Sequence, residues 1–303
     1  MIRLWRNVRF WRFAGQAIAV ILMVAVLAFL GSNLDRNLRQ LNIRFGFGFL
    51  RSQAGFTIGE TPIAYQPSDN YTQALVIGLL NSLKVIITGI VAATIVGVTA
   101  GIARLSDNWL VRHLAIVYVE ALRNMPLLLQ LFFWYFAVFL SLPSPENGIS
   151  LGLITFSNRG VGLLGTQLSP EFSALLAGLT IYTGTFIAEI VRGGIQSVPR
   201  GQWEAARSLG LAPPLVLRLV VLPQALRAII PSLSNQYLNL AKNSSLAVAV
   251  GYPDLYAIAS TTFNQTGRAV EVMILICATY LSISLIISLA MNFYNRSVQF
   301  VER

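Results

Sequence analysis

The sequence predicts an all-α integral membrane protein, on three observations. The 303 residues are 55% hydrophobic and only 11% charged, whereas soluble domains carry about 25% charged residues. Six apolar runs approach or exceed the ~20 residues that a helix needs to cross hydrocarbon. The arginines lie mostly in the short stretches between those runs, the pattern that orients a membrane protein. The net charge of +10 is therefore a topological signal and not a nucleic-acid signature. One cysteine (Cys277) and one histidine (His113) exclude an internal disulfide and any multi-histidine metal or heme site.

The six runs are residues 14–31, 75–103, 114–142, 172–191, 224–250 and 270–293. Arg3, Arg6, Arg9 and Arg12 precede the first, as in a signal peptide. Its apolar part exceeds the ~7–15 residues of a signal core and no small-x-small site follows, so it reads as an uncleaved anchor. Placing the N-terminus inside puts 14 arginines in inner loops and six in outer ones, which predicts that both termini face the cytoplasm. The predicted organisation is a basic cytoplasmic stretch (1–13), an extra transmembrane helix (14–31), a periplasmic segment (32–74), a transmembrane domain (75–294) and a cytoplasmic end (295–303). The outer segments 32–74 and 141–171 read as turns and short amphipathic pieces.

The third run is irregular. Glu120, Arg123 and Pro126 sit in its first half. Glu120 and Arg123 share a helix face at i,i+3 and can pair. Asn124-Met125-Pro126 predicts a bend, because the residue before a proline avoids helical angles.

The loop at 197–223 is polar and lies between two spans. Ser197 and Pro199 suit a helix start, Gly210 suits its end, and Pro213-Pro214 reopens a helix that carries Leu215, Leu219 and Leu222 on one side. Pro223 then breaks or kinks the chain as it re-enters the membrane. On pattern alone this is either an amphipathic connector or a surface made to be touched from the cytosol. The chain's two lysines, Lys84 and Lys242, do not end a Gly-x-x-x-x-Gly-Lys-Ser/Thr loop, so it has no phosphate cradle of its own.

Ionisable groups at mid-membrane are costly and usually face protein or water. Lys84 shares a face with Asn81 and Thr88; it either snorkels to the outer surface or lines a path. Glu189 lies near Arg192 at i+3, a structural ion pair by default. Thr183 and Thr185 either bond back to their own helix or meet a substrate. The fifth run holds Asn235, Asn239, Lys242, Asn243, Ser244 and Ser245. Asn235, Asn239 and Lys242 recur at helical spacing and form a polar stripe that cannot face lipid. It faces a partner helix or a water-filled path.

Glu204-Ala205-Ala206, Gly210 and Leu222-Pro223 resemble the EAA signature of ABC importer membrane subunits. Tyr118-Val119-Glu120-Ala121-Leu122-Arg123-Asn124-Met125-Pro126, Ala188-Glu189-Ile190-Val191-Arg192-Gly193-Gly194 and Lys242-Asn243-Ser244-Ser245-Leu246 are similar to stretches of the polar-amino-acid permease branch. That branch more often has Asp-Thr where this chain has Asn243-Ser244. The part at 44–71, with the extra first helix, resembles permeases of general or acidic/neutral L-amino-acid systems.

The resemblance implies a type I importer transmembrane fold, a five-helix core plus one N-terminal helix. It implies that Glu204, Ala205, Ala206, Gly210, Leu222 and Pro223 form a coupling element resting on a separate ATPase. Lys84, Thr183, Thr185, Glu189, Asn235, Asn239, Lys242, Asn243, Ser244 and Ser245 become the candidate substrate path. It implies a bacterial inner-membrane complex with a second permease, expected to be a paralogue in a heterodimer, two ATPase subunits and a periplasmic amino-acid-binding protein. ATP and Mg would be bound by the ATPase subunits and no cofactor by this chain. A secondary transporter driven by an ion gradient is the alternative; it would show two halves with matched broken helices, and no such pair is evident. A membrane enzyme finds no clustered nucleophile and base.

Overall fold

A computed structural model of the chain describes residues 8–40, 45–163 and 165–298. The chain divides into two compact units, Met1–Gly48 and Phe49–Arg303.

The first unit holds the long helix α1 (Val8–Gln40). It is apolar all round from Ala17 to Leu30, and every large apolar side chain in that stretch is exposed. At 1.5 Å per residue its 33 residues extend about 50 Å, more than a bilayer core requires. Its polar end is laced by Asp35 and Arg39 (2.9 Å, i,i+4).

The second unit begins with an irregular strap and continues as α2 (Tyr71–Ala103), α3 (Trp109–Arg123), α4 (Leu127–Phe132), strands β1–β4, α5 (Pro170–Gln196), α6 (Arg200–Ser208), α7 (Pro213–Val216), α8 (Leu222–Asn243), α9 (Leu255–Thr266) and α10 (Ala269–Val298). Among the described residues five helices are long and apolar enough to cross a membrane, or six if α3 and α4 together form one broken span.

The α2–α5 pair is the centre of this unit. Gly89, Ala93, Gly97 and Gly101 recur every fourth residue on α2, a small-residue ladder that lets helix backbones approach closely. A Cβ on Gly97 would sit 2.5 Å from Ile187 Cβ, and one on Gly101 2.7 Å from the Ala188 carbonyl. No side chain larger than glycine fits these two sites without moving α5. Two apolar clusters flank the pair. One, toward α6, joins Ile187, Val191, Val198, Ala206, Val221 and Ile229 across α5, α6, α8 and the turns between them; the other, toward the opposite end, joins Val85, Leu131, Phe172, Leu175 and Tyr252.

The bend expected at Asn124–Pro126 is a full break, with α3 and α4 meeting at 107°. The carbonyls it frees are met by side chains: Gln130 Nε2 donates to Leu122 (2.7 Å) and Met125 (3.2 Å), and Asn124 Nδ2 donates to Glu120 (2.7 Å). Gln130 is buried, so the break is fixed inside the protein, where irregular backbone is tolerated.

The connection at 141–171 differs from the turns and amphipathic pieces expected of it. It holds a four-stranded antiparallel meander, β1 (Ile149–Leu151), β2 (Ile154–Ser157), β3 (Gly160–Leu163) and β4 (Thr166–Leu168), paired in sequence order. Strands of three or four residues are too short to print an alternating pattern. The all-α membrane core stands, with this small sheet as an appendage.

Candidate functional site

Helix α6 carries the polar signature. It stops in a Schellman turn: Gly210 has φ +78°, its N–H donates to the Arg207 carbonyl (2.9 Å), and the Leu211 N–H reaches the Ala206 carbonyl (3.3 Å). Leu211 packs in the same apolar cluster as Ala206, the contact that completes this turn. Ala206 and Trp203 face inward. Glu204, Ala205 and Arg207 face outward, and Leu209 stands 81% exposed at the tip. Ser197 is not the cap of this helix: it closes α5, donating to the Gly194 carbonyl (2.8 Å). Pro199 occupies the α6 start. Beyond α7 the chain makes a π-helical turn, Leu217–Val221, and Pro223 sits in the first turn of α8, where its missing N–H is harmless. Leu222 lines a groove of about 560 Å³ with Ile102, Leu105, Trp203, Pro213 and Leu217.

An ionic cluster anchors the base of this hairpin. Glu189 pairs with Arg192, and its other oxygen accepts from Arg104 Nη1 at 2.5 Å. Arg104 Nη2 also reaches Glu120 (3.5 Å), and Glu120 meets Arg123 (3.9 Å). The Glu120–Arg123 and Glu189–Arg192 pairs expected from i,i+3 spacing are both present; Arg104 joins them. Three helix ends are thereby tied at the end of the bundle that carries α6. Sequence spacing could not show this, because Arg104 is 85 residues from Glu189.

The candidate path residues occupy four separate places, one of them the ionic cluster that holds Glu189. On α8, Asn235, Asn239 and Lys242 lie on the exposed face, Asn243 and Ser245 are half-buried and Ser244 is buried. Ser244 Oγ donates to the Ala241 carbonyl and Ser245 Oγ to that of Lys242, each at 2.8 Å, where α8 tightens into the 3-10 turn Ser244–Val250. On α5, Thr183 and Thr185 are buried, and Thr185 bonds back to the Tyr182 carbonyl (2.7 Å). Lys84 stands in the N-terminal half of α2, paired with Glu60 and 4.3 Å from the Phe172 ring centroid. Among the described residues no hydrogen bond or ion pair joins these places.

Glu60 and Ser169 were not anticipated from the sequence. Glu60 accepts from Ser169 Oγ (2.7 Å), and its backbone carbonyl accepts from Asn81 Nδ2 (2.9 Å). One signal was available: Glu60 is the sole acidic residue between Asp35 and Asp69.

Residues 86–300 match the family described as binding-protein-dependent transport system inner membrane component. The chain belongs to this family. It is 41% identical to a putative amino-acid ABC transporter permease protein, YhdX, of Escherichia coli, over 98% of this chain and 96% of that one. It is 39% identical to AapQ, a general L-amino acid transport system permease protein of Rhizobium johnstonii, over 95% and 92%. Among solved structures it resembles an amino acid ABC transporter crystallised with histidines, at 29% identity and a TM-score of 0.61, over 75% of this chain and 95% of that one. As an inner membrane component of this family, the chain is a multi-pass membrane subunit of an ATP-driven importer. It works with ATPase and substrate-binding components, and ATP hydrolysis belongs to the separate ATPase subunits. An ion-gradient transporter is thereby set aside.

Proposed function

We propose that this chain is the permease subunit of an importer of polar L-amino acids, of the general or acidic/neutral type, and that α6 couples it to the ATPase. The outward face of α6 carries the reading. Glu204, Ala205, Gly210 and the exposed Leu209 present a rigid knob, while Ala206 and Trp203 bind the same helix to the inner apolar cluster. A push on the knob moves the inner ends of α5 and α8, and Leu222 and Pro223 set the angle at which α8 leaves it.

In this reading ATP and Mg are held by two partner ATPase subunits. Both termini of this chain are cytoplasmic, and residues 32–74 are periplasmic. A second, paralogous permease completes the membrane portion. Asn235, Asn239 and Lys242 form an uncovered polar face on α8, which in lipid would be strongly unfavourable; a second subunit across a water-filled path satisfies it. Lys84, Thr183, Thr185, Glu189, Asn243, Ser244 and Ser245 complete the candidate path. Lys242 and the asparagine amides supply donors for a substrate carboxylate.

The test is co-purification with the partner permease, the ATPase and the binding protein, followed by ATP hydrolysis measured with each polar amino acid in turn. Stimulation by polar L-amino acids and none by apolar ones is expected. Equal hydrolysis with and without any amino acid would remove the reading.

A further inference from the structure

We propose that the outer strap, residues 49–70, is a gate in which Glu60 stands in for the α-carboxylate of an incoming amino acid. The proposal rests on the chain being an amino-acid path and adds the site at which the substrate first meets it.

Four observations meet here. The strap is fixed at its base: Ala54 donates to the Asp69 carbonyl (2.8 Å) and Tyr65 Oη to that of Phe56 (2.9 Å). Its far end is Glu60, whose two carboxylate oxygens are divided between Lys84 and Ser169 Oγ. Lys84 rests on the Phe172 ring, so its ammonium has one anion on one side and an aromatic face on the other. A cavity of about 400 Å³ opens beside Glu60 and Ser169, and Glu171, Thr57 and Thr261 line it too.

A zwitterionic amino acid fits this arrangement when Glu60 swings away. Its carboxylate takes the two donors that Glu60 now holds, Lys84 and the Ser169 hydroxyl. Its ammonium meets Glu171, a lining residue whose Oε1 is oriented by Tyr135 Oη (3.0 Å). The Lys84 and Glu60 side chains are 36% and 22% exposed, and an ion pair that solvent reaches holds weakly, so a competing carboxylate can displace it. Asn81 holds the Glu60 backbone from beneath, which lets the side chain exchange partners without unseating the strap. With the gate closed, only the fraction of molecules with Lys84 released can bind, and the apparent affinity falls by that fraction.

The test uses the complete complex in nanodiscs without binding protein and radiolabelled L-glutamine as probe. Glu60→Gln keeps the shape and removes the charge; it is expected to bind glutamine about tenfold more tightly than wild type, because the closed state no longer competes. Glu60→Asp, shorter by one methylene and still charged, should shift affinity in the same direction by less, and it keeps the test readable if the glutamine variant misassembles. Lys84→Gln should remove binding in both the wild-type and the Glu60→Gln background. Glutamine α-amide, which lacks the carboxylate, should not compete. Equal or weaker binding by both Glu60 variants, or retained binding in Lys84→Gln, overturns the gate. ATP-driven uptake by the wild-type complex with its binding protein is measured alongside in sealed proteoliposomes: its absence sinks the importer reading itself, whereas normal uptake with unaltered Glu60 variants sinks only the gate.

Discussion

At its inner end the α2–α5 pair is tied by Arg104, Glu189 and Arg192, which lie on the two helices or on the residue that ends α2. At its outer end the same pair is tied by Glu60, which comes from a strap with little regular structure. The inner tie is a cluster of several charges backed by the apolar seating of α6. The outer tie is one carboxylate beside an open cavity. On the proposals above, the contrast separates a part that transmits displacement as a unit from a part whose closing group can be exchanged.

The largest expected effect comes from striking the pair where both ends depend on it. Gly97→Val places branched carbons against Ile187 and the Gly184 carbonyl. Overpacking typically costs about 1–3 kcal/mol and sometimes more, and here it separates the helices that both ties join. Loss of the assembled complex in size-exclusion chromatography is expected; a complex of wild-type thermal stability would contradict the tight α2–α5 approach.

Next in size are variants confined to the inner end. Glu204→Ala removes an exposed carboxylate from the knob, and Gly210→Ala strains a position at φ +78°. Each should lower substrate-stimulated ATP hydrolysis and uptake by roughly 5- to 150-fold, the range of a coupling energy of about 1–3 kcal/mol. Membrane insertion, followed by fractionation, should stay normal. If they instead left uptake unchanged and altered only glutamine binding, the division between the two ends would be reversed.

A smaller effect tests the outer side through pH. Asp254 caps α9, accepting from the Ala257 N–H (2.8 Å) and Tyr280 Oη (3.1 Å). Burial pushes its carboxyl up to about 6 against those hydrogen bonds. A raised folded-state pKa means that the folded protein binds more protons than the unfolded one between about pH 4 and 6, so stability falls as pH rises through that window. The span of about two pH units corresponds to about 2–3 kcal/mol. Asp254→Asn should flatten the melting temperature across pH 4–6; an unchanged slope would assign the dependence elsewhere.

The smallest effect is expected from the exposed α8 face. Asn239→Ala should leave stability within about 0.5 kcal/mol, as for other surface changes, while weakening uptake affinity. Unaltered uptake affinity in both Asn239→Ala and Ser245→Ala would make the stripe packing and not path.

The same contrast explains what was legible in the sequence. Much of the inner end could be read because its determinants are local, though not the Arg104–Glu189 contact, which spans 85 residues. Glu189–Arg192 and Glu120–Arg123 are i,i+3 pairs, Gly210 marks a helix stop, and Pro126 marks a break. The outer end could not, because Glu60 finds Lys84 and Ser169 across 24 and 109 residues, and nothing periodic announces such a contact. The meander escaped for a related reason, since three-residue strands leave no period to detect. Ser197 misled because a serine before a proline suits a helix start, yet in the chain it ends the preceding helix instead.

The central claim is that α6 transmits ATP-driven motion to a path for polar amino acids. Its most direct test is ATP hydrolysis by the reconstituted complex with the amino-acid-loaded binding protein, comparing wild type with Glu204→Ala. Strong stimulation by loaded binding protein in wild type, with loss of that stimulation but intact basal hydrolysis in Glu204→Ala, is the predicted result. Equal stimulation in the two complexes would contradict the claim.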